Sequence, residues 1–155
     1  MSEIIEGSIA PDFDLPTDGG DKIRLSNLRG KPVVVYFYPK DDTPGCTREA
    51  IAFTELGPQF EELGVTVVGV SPDGVAKHDK FKAKHKLTVT LAADTQTETA
   101  SAYGVLVEKS MYGKKYMGVE RSTFLIDANG NVACVWRKVK VPGHAEEVLE
   151  AVKAL

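Results

Sequence analysis

The chain has 155 residues, of which 43% are hydrophobic and 26% charged, and its formal net charge is −3. This length is enough to bury a core without disulfides or metal ions, so we expect residues 1–155 to form a single domain. The slight acidic excess argues against a nucleic-acid partner, because phosphate binding needs a concentrated positive field. The sequence shows neither a signal peptide nor the roughly 20-residue apolar run of a membrane helix, which predicts a soluble, cytoplasmic protein.

The first elements predicted are a hairpin and a buried strand. Two short apolar pieces, 13–15 and 23–25, flank a segment with paired glycines over 18–21, a pattern typical of a turn between strands. Residues 33–38 are β-branched or aromatic without interruption, which indicates a strand buried on both faces. Pro39 ends this strand.

Helices and strands then alternate. Apolar residues at helical spacing predict a helix from about Thr43 to Leu63, kinked near Gly57 and Pro58. Residues 65–70 predict a second buried strand, and residues 74–85 a lysine-rich helix with a solvated face.

The last part of the chain predicts five further elements. They are a strand over 88–91, a helix over 97–103, strands over 122–126 and 132–136, and a helix over 143–155. The complete order predicts an α/β fold in which a mixed central β-sheet carries helices on both faces and an N-terminal β-hairpin extension. This is the layout of a thioredoxin-like three-layer sandwich.

The segment from Pro39 to Glu49 lies between the buried strand and the long helix, where ligand sites gather in open α/β sheets. Thr43 followed by Pro44 is a typical N-cap and first-turn pair, which places Cys46 in the first helical turn. Unpaired N–H groups and the helix dipole stabilise a thiolate there, and the thiolate is the nucleophilic form of cysteine. Cys46 is therefore a candidate nucleophile.

The pattern Pro39-x-x-x-Thr43-x-x-Cys46 resembles the active-site signature of the peroxiredoxins. The fuller stretch from Tyr38 to Glu49 is similar to the subgroup called PrxQ or bacterioferritin comigratory protein, and the similarity continues through 10–13, 121–127 and 136–140. The resemblance implies a thiol-dependent peroxidase that reduces hydrogen peroxide and organic hydroperoxides through a sulfenic acid. It implies no metal, haem or flavin cofactor.

The resemblance also assigns a role to each residue of the site. Cys46 is the peroxidatic cysteine, Thr43 hydrogen-bonds the peroxide, Pro39 shields the thiolate, Arg121 stabilises the thiolate and the forming oxyanion, and Glu49 orients Arg121. Each residue also has a structural interpretation. Cys46 could instead fill the core, Thr43 could only cap the helix, and Pro39 could only end the strand. Arg121 could be a surface cation and Glu49 a solvated helix residue.

The chain departs from the subgroup in its resolving cysteine. Many PrxQ relatives carry one five residues after the peroxidatic cysteine or on the following helix; here the first position is Ile51, and residues 74–85 contain none. The other thiol, Cys134, is expected opposite Phe124, roughly 10 Å from the catalytic end and beyond the ~7 Å Cα separation of a disulfide. We therefore expect a one-cysteine mechanism in which thioredoxin, glutaredoxin or a small thiol reduces the protein, and a monomer or weak homodimer.

Two other functions stay open at this point. A thiol–disulfide oxidoreductase fits the fold, but the segment from Thr43 to Cys46 lacks the first cysteine of a C-x-x-C pair. A redox-sensing or chaperone-like binding protein could use Cys46 oxidation as a signal.

His78 and His85 share a helix face without a third ligand nearby, so we expect no metal, and we expect His144 at the surface.

Overall fold

Over the residues that the computed structural model describes, 4–155, the chain forms nine β-strands and five α-helices. The strands are β1 (Asp14–Pro16), β2 (Lys22–Arg24), β3 (Val33–Phe37), β4 (Thr66–Ser71), β5 (Thr90–Ala93), β6 (Leu106–Met111), β7 (Lys114–Val119), β8 (Ser122–Ile126) and β9 (Val132–Trp136). The helices are α1 (Pro44–Glu55), α2 (Gly57–Glu62), α3 (Val75–His85), α4 (Glu98–Ala102) and α5 (His144–Lys153). No helix within 4–155 is long and apolar enough to cross a membrane.

Five strands form the central sheet in the order β5-β4-β3-β8-β9. β3, β4 and β5 are parallel, whereas β8 runs antiparallel to β3 and β9 antiparallel to β8, so the predicted mixed sheet is confirmed. Phe37, the last residue of β3, pairs with Ser122, the first of β8. The chain therefore leaves β3 and enters β8 at the same edge of the sheet, which is the edge that carries the candidate site.

Each face of the sheet carries its own apolar cluster. Alternate residues of β3 point to opposite faces, and all of them are buried, which explains the uninterrupted apolar run. The first cluster packs under α1, α2, α5 and Phe81 of α3, and the second under α4 and the N-terminal segment around Phe13. The predicted layers of helix, sheet and helix are thus present.

Two hairpins stand outside the central sheet. β1 and β2 pair antiparallel around a 3-10 turn, as the paired glycines predict. β6 and β7 form a second hairpin that the sequence reasoning missed, because its strands are largely polar and exposed. The missed signal was Tyr112-Gly113, whose φ angles of 53° and 77° suit a two-residue hairpin turn.

The helix predicted over 43–63 is two helices, α1 and α2, which meet at Leu56. The break lies at the predicted kink, because Pro58 in the first turn of α2 has no N–H to donate to the preceding turn.

The position of Cys134 differs from the expectation. A register shift between Leu125 and Ile126 places Cys134 opposite Leu125 rather than Phe124. The irregularity breaks the alternation on β9, so Val132 belongs to the second cluster while Cys134 packs against the first. Cys134 is half-buried, and both cysteines are free thiols.

Gly69→Ala will destabilise the fold. A Cβ at position 69 would lie 2.7 Å from Cζ and Oη of Tyr36, whose ring stacks on Phe53 at 4.7 Å and cannot easily move. We expect the free energy of unfolding to fall by about 1–3 kcal/mol, as for other overpacked cores. Urea denaturation measures it.

Gly74→Ala is the matched control, because a Cβ there meets no atom within 4 Å. We expect the free energy of unfolding of this variant to fall by less than about 1 kcal/mol, because alanine is a poorer helix N-cap than glycine. Equal falls in the free energy of unfolding of the two variants would contradict the clash proposed between a Cβ at position 69 and Tyr36.

Candidate active site

Cys46 is the third residue of α1 and lies at the edge of the sheet where β3 ends. Its side chain is 1% exposed and belongs to the first cluster. A position in the first turn of a helix is thus fully buried here. Gly45 allows the close covering of the thiol, since a Cβ at that position would lie 3.1 Å from Nη2 of Arg121.

Arg121 joins the thiol to a buried carboxylate. Its Nη2 donates to Sγ of Cys46 at 3.3 Å, and its Nη1 donates to Oε1 of Glu49 at 2.7 Å. Cys46 and Glu49 are three residues apart on α1 and therefore share a helix face. The structure thus brings together these three predicted site residues, although they come from distant parts of the chain.

Burial sets the electrostatics of this trio. It raises the pKa of Glu49 to about 7, although Arg121 acts in the opposite direction. Burial also favours a neutral Arg121, but Glu49 and Cys46 outweigh it and raise the pKa of the guanidinium. Arg121 is consequently a permanent cation beside the sulfur. The second oxygen of Glu49, Oε2, is buried and makes no hydrogen bond within the described residues.

Thr43 occupies the N-cap position of α1 with extended backbone angles, as predicted, but its side chain does not cap the helix. Its hydroxyl donates instead to the carbonyl oxygen of Lys40 at 2.9 Å. The hydroxyl hydrogen is therefore engaged, while the oxygen lone pairs stay available as acceptors. Pro39 is half-buried two residues beyond β3, at the same edge of the sheet.

Two histidines are buried, although the sequence predicts His144 at the surface and makes no prediction about the burial of His78. His78 is 0% exposed, with Nδ1 2.6 Å from Oδ2 of Asp41 and Nε2 3.1 Å from the carbonyl oxygen of Ala92. His144, expected at the surface, is 4% exposed and lies 2.8 Å from Oγ1 of Thr123. A signal for His78 existed, because it lies three residues before Phe81 and forms with it the buried side of α3.

Comparisons with known proteins show the family of the chain. The model of the AhpC/TSA family matches residues 7–135. A putative peroxiredoxin bcp of Coxiella burnetii is 51% identical over 143 residues, which cover 92% of this chain and 95% of the relative. Peroxiredoxin Bcp of Bacillus subtilis is 49% identical over 147 residues, with 95% and 94% covered.

Solved structures give the same result. The bacterioferritin comigratory protein of Xanthomonas campestris superposes with a TM-score of 0.90 and 44% identity, over 97% of this chain and 96% of that chain. The matches define the class as thiol-dependent peroxidases with a thioredoxin-like fold. The chain belongs to the AhpC/TSA family and, within it, to the peroxiredoxins of the Bcp or PrxQ group. Its reaction is accordingly the reduction of a peroxide at the expense of a thiol.

Glu49→Gln will change the pH dependence of stability. Because the pKa of Glu49 rises from 4.5 to about 7 on folding, the folded protein holds a proton that the unfolded chain releases between these values. The wild type should therefore lose stability relative to the variant as pH rises through this window, by up to about 3 kcal/mol. Chemical denaturation at a series of pH values from 4 to 8 measures the difference.

Glu55→Gln is the matched control, because Glu55 is a solvent-exposed carboxylate of the same helix. Its difference from the wild type should stay nearly constant with pH. A constant difference for Glu49→Gln as well would contradict the burial argument.

Proposed function

We propose that Cys46 is the peroxidatic cysteine and that Arg121, Thr43 and Pro39 complete the catalytic site. The contact of 3.3 Å between the Arg121 guanidinium and the Cys46 sulfur carries this proposal. A fixed cation at that distance stabilises the thiolate and then the negative charge that grows on the departing oxygen. Preorganised donors of this kind contribute more to such reactions than activation of the nucleophile alone.

The proposed reaction is a two-electron oxidation of sulfur. The Cys46 thiolate attacks the terminal peroxide oxygen, so that an S–O bond forms while the O–O bond breaks. The leaving oxygen takes the electron pair beside Arg121, gains a proton and departs as water or an alcohol, and Cys46 becomes a sulfenic acid. Thr43 accepts a hydrogen bond from the peroxide O–H, because its own hydrogen points at Lys40. Pro39 excludes water from the thiolate.

Glu49 is proposed as a positioning residue for Arg121. A guanidinium can present two N–H groups in fixed directions, and the contact of 2.7 Å with Glu49 uses one of them, so the other faces Sγ. The Glu49 side chain is 1% exposed, which favours a persistent contact over a solvated one.

Hydrogen peroxide and organic hydroperoxides are the proposed substrates. The matched Xanthomonas campestris structure is named for the alkyl peroxide reduction activity of that protein. The same attack on the terminal peroxide oxygen releases water from hydrogen peroxide and an alcohol from an organic hydroperoxide, so one mechanism serves both substrate types.

A one-cysteine cycle is proposed for the return of the sulfenic acid to the thiol. Leu125, opposite Cys134, lies four residues along β8 from Arg121, about 13 Å at the rise of a strand. This separation argues against a direct disulfide, which needs Cα atoms within about 7 Å. An external thiol instead forms a mixed disulfide with Cys46 and releases water, and a second thiol frees Cys46.

The reductant in this cycle is a thiol of the thioredoxin, glutaredoxin or small-molecule class. We place the protein in the cytoplasm, where such thiols are kept reduced. The proposed oligomeric state of the protein is a monomer or a weak homodimer.

Cys46→Ser will abolish rapid oxidation by hydrogen peroxide, whereas Cys134→Ser will retain it. Stopped-flow fluorescence of Trp136 follows the reaction, and mass spectrometry identifies the product as sulfenic acid. An intramolecular disulfide between the two cysteines would contradict the one-cysteine cycle while preserving the peroxidase. If Cys46 of the wild type is oxidised no faster than an ordinary thiol, the proposed peroxidase mechanism is disproved and a redox-sensing role is favoured.

Arg121→Lys will lower the second-order rate constant for peroxide by about 100-fold or more, because an ammonium group cannot face Sγ and Glu49 at once and one preorganised donor is worth about 3 kcal/mol. The same stopped-flow measurement tests it. Arg48→Lys is the matched control, since Arg48 is exposed two residues after Cys46 on the same helix. A rate for Arg121→Lys equal to that of the control would disprove the proposed role of the guanidinium.

A further inference from the structure

The peptide group between Lys40 and Asp41 is held at both of its polar ends. Its carbonyl oxygen accepts the hydrogen of the Thr43 hydroxyl at 2.9 Å, and its N–H donates to Oδ2 of Asp73 at 2.7 Å. Because a peptide group is planar, the direction of the N–H fixes the direction of the carbonyl. The carboxylate of Asp73 therefore determines where the hydroxyl hydrogen of Thr43 points.

Asp73 is itself held on two sides. Ser71 donates its hydroxyl hydrogen to Oδ2 at 2.9 Å, and Lys77 forms an ion pair with Oδ1 at 2.9 Å. The Asp73 side chain is only 11% exposed. The carboxylate thus links the end of β4 and the first turn of α3 to the segment that precedes Cys46.

The side chain of Asp41 makes a second attachment, and it is completely buried. Tyr38 donates its hydroxyl hydrogen to Oδ1 at 2.6 Å, and His78 lies 2.6 Å from Oδ2. The other ring nitrogen of His78 faces the carbonyl oxygen of Ala92, which can only accept, so Nε2 carries a hydrogen. The contact of 2.6 Å between Nδ1 and Oδ2 is the second hydrogen bond of the ring, so both ring nitrogens of His78 have a partner.

A third attachment holds Asp42, the next residue of the segment. Asp42 has a left-handed backbone with φ of 60°, a conformation that is uncommon for residues other than glycine but that aspartate tolerates. Lys84 and His85 of α3 contact its two carboxylate oxygens at 2.8 and 2.9 Å. Helix α3 therefore contacts the segment from Lys40 to Thr43 through several side chains.

We propose that His78 and Asp73 are positioning residues of the peroxidase reaction, which hold the Lys40–Asp41 peptide so that the Thr43 hydroxyl presents its lone pairs to the peroxide. This inference rests on the proposed function, because it takes Thr43 to bind the peroxide at Cys46. It extends the site to α3, which carries no catalytic group of its own.

Two substitutions of His78 separate this role from general stabilisation. The amide of His78→Asn lies near the place of Nδ1 and keeps the contact with Asp41, whereas that of His78→Gln lies near the place of Nε2 and keeps only the contact with Ala92. Each variant loses one of two buried hydrogen bonds. We therefore expect similar losses of thermal stability in both.

The peroxide reaction should distinguish the two variants. His78→Gln should lower the rate constant for oxidation of Cys46 by hydrogen peroxide about tenfold, the effect of one hydrogen bond lost in the transition state, whereas His78→Asn stays close to the wild type. Alkylation of Cys46 by iodoacetamide does not use Thr43 and should change little in either variant. In a Thr43→Val background, His78→Gln should lower the peroxide rate no further, because the two residues act as one unit.

Amide hydrogen exchange supplies a readout that does not depend on peroxide. Exchange at residues 40–43 should accelerate in His78→Gln and not in His78→Asn. Unchanged exchange, a parallel fall of the peroxide and iodoacetamide rates, or an undiminished effect of His78→Gln in the Thr43→Val background would each overturn the positioning role. Failure of the proposed function is seen separately, as slow oxidation of the wild type or rapid oxidation of Cys46→Ser, and the positioning role in catalysis then falls with it.

Discussion

The contact of Arg121 with both Cys46 and Glu49 is the interaction on which the site depends. A guanidinium brought into a largely buried place loses much of its hydration, and hydrogen-bond acceptors such as the Glu49 carboxyl and the Cys46 sulfur restore the lost stabilisation only when their geometry is good. The geometry comes from the sheet. Antiparallel pairing of β3 with β8 places the residue before β8 at the edge where α1 begins. The same pairing that builds the core therefore positions the cation beside the sulfur.

Burial of this trio has a cost that the pKa of Glu49 makes visible. Burial raises the pKa of Glu49 although the cation of Arg121 acts in the opposite direction, so the loss of hydration outweighs the attraction of the ion pair. Replacement of other buried ion pairs by apolar residues of similar volume often leaves the protein equally or more stable. In the proposed function the trio has a chemical purpose instead, because a fixed cation beside the sulfur stabilises the charge that develops during peroxide reduction.

Much of this arrangement could be predicted from the sequence. The run over 33–38, the break at Pro39 and the Thr43-Pro44 start of α1 are local signals, and each has a physical cause that acts within a few residues. The pairing of Arg121 with Glu49 was assigned through resemblance, since no local pattern joins residues 72 positions apart. His144 was misplaced because a polar side chain at a helix start reveals nothing about its partner across the fold. The shift on β9 that moved Cys134 arises from irregular pairing between strands, which alternation of residues cannot indicate.

The two sides of the site have separate supports. Arg121 is positioned through the sheet and through Glu49 on α1, whereas in the proposal made above Thr43 is positioned by Asp73 in the loop before α3 and by His78 on α3. In the proposed reaction the two sides meet at the sulfur and the bound peroxide, where Arg121 donates hydrogen bonds and Thr43 accepts one. A hydroperoxide can donate a hydrogen bond through its O–H and accept others through its lone pairs. It also offers the attacking sulfur a weak O–O bond, which a water molecule in the same place lacks. The division of the site into a donating and an accepting side therefore fits the substrate itself, and it explains why a helix without a catalytic residue is bound so closely to the segment before Cys46.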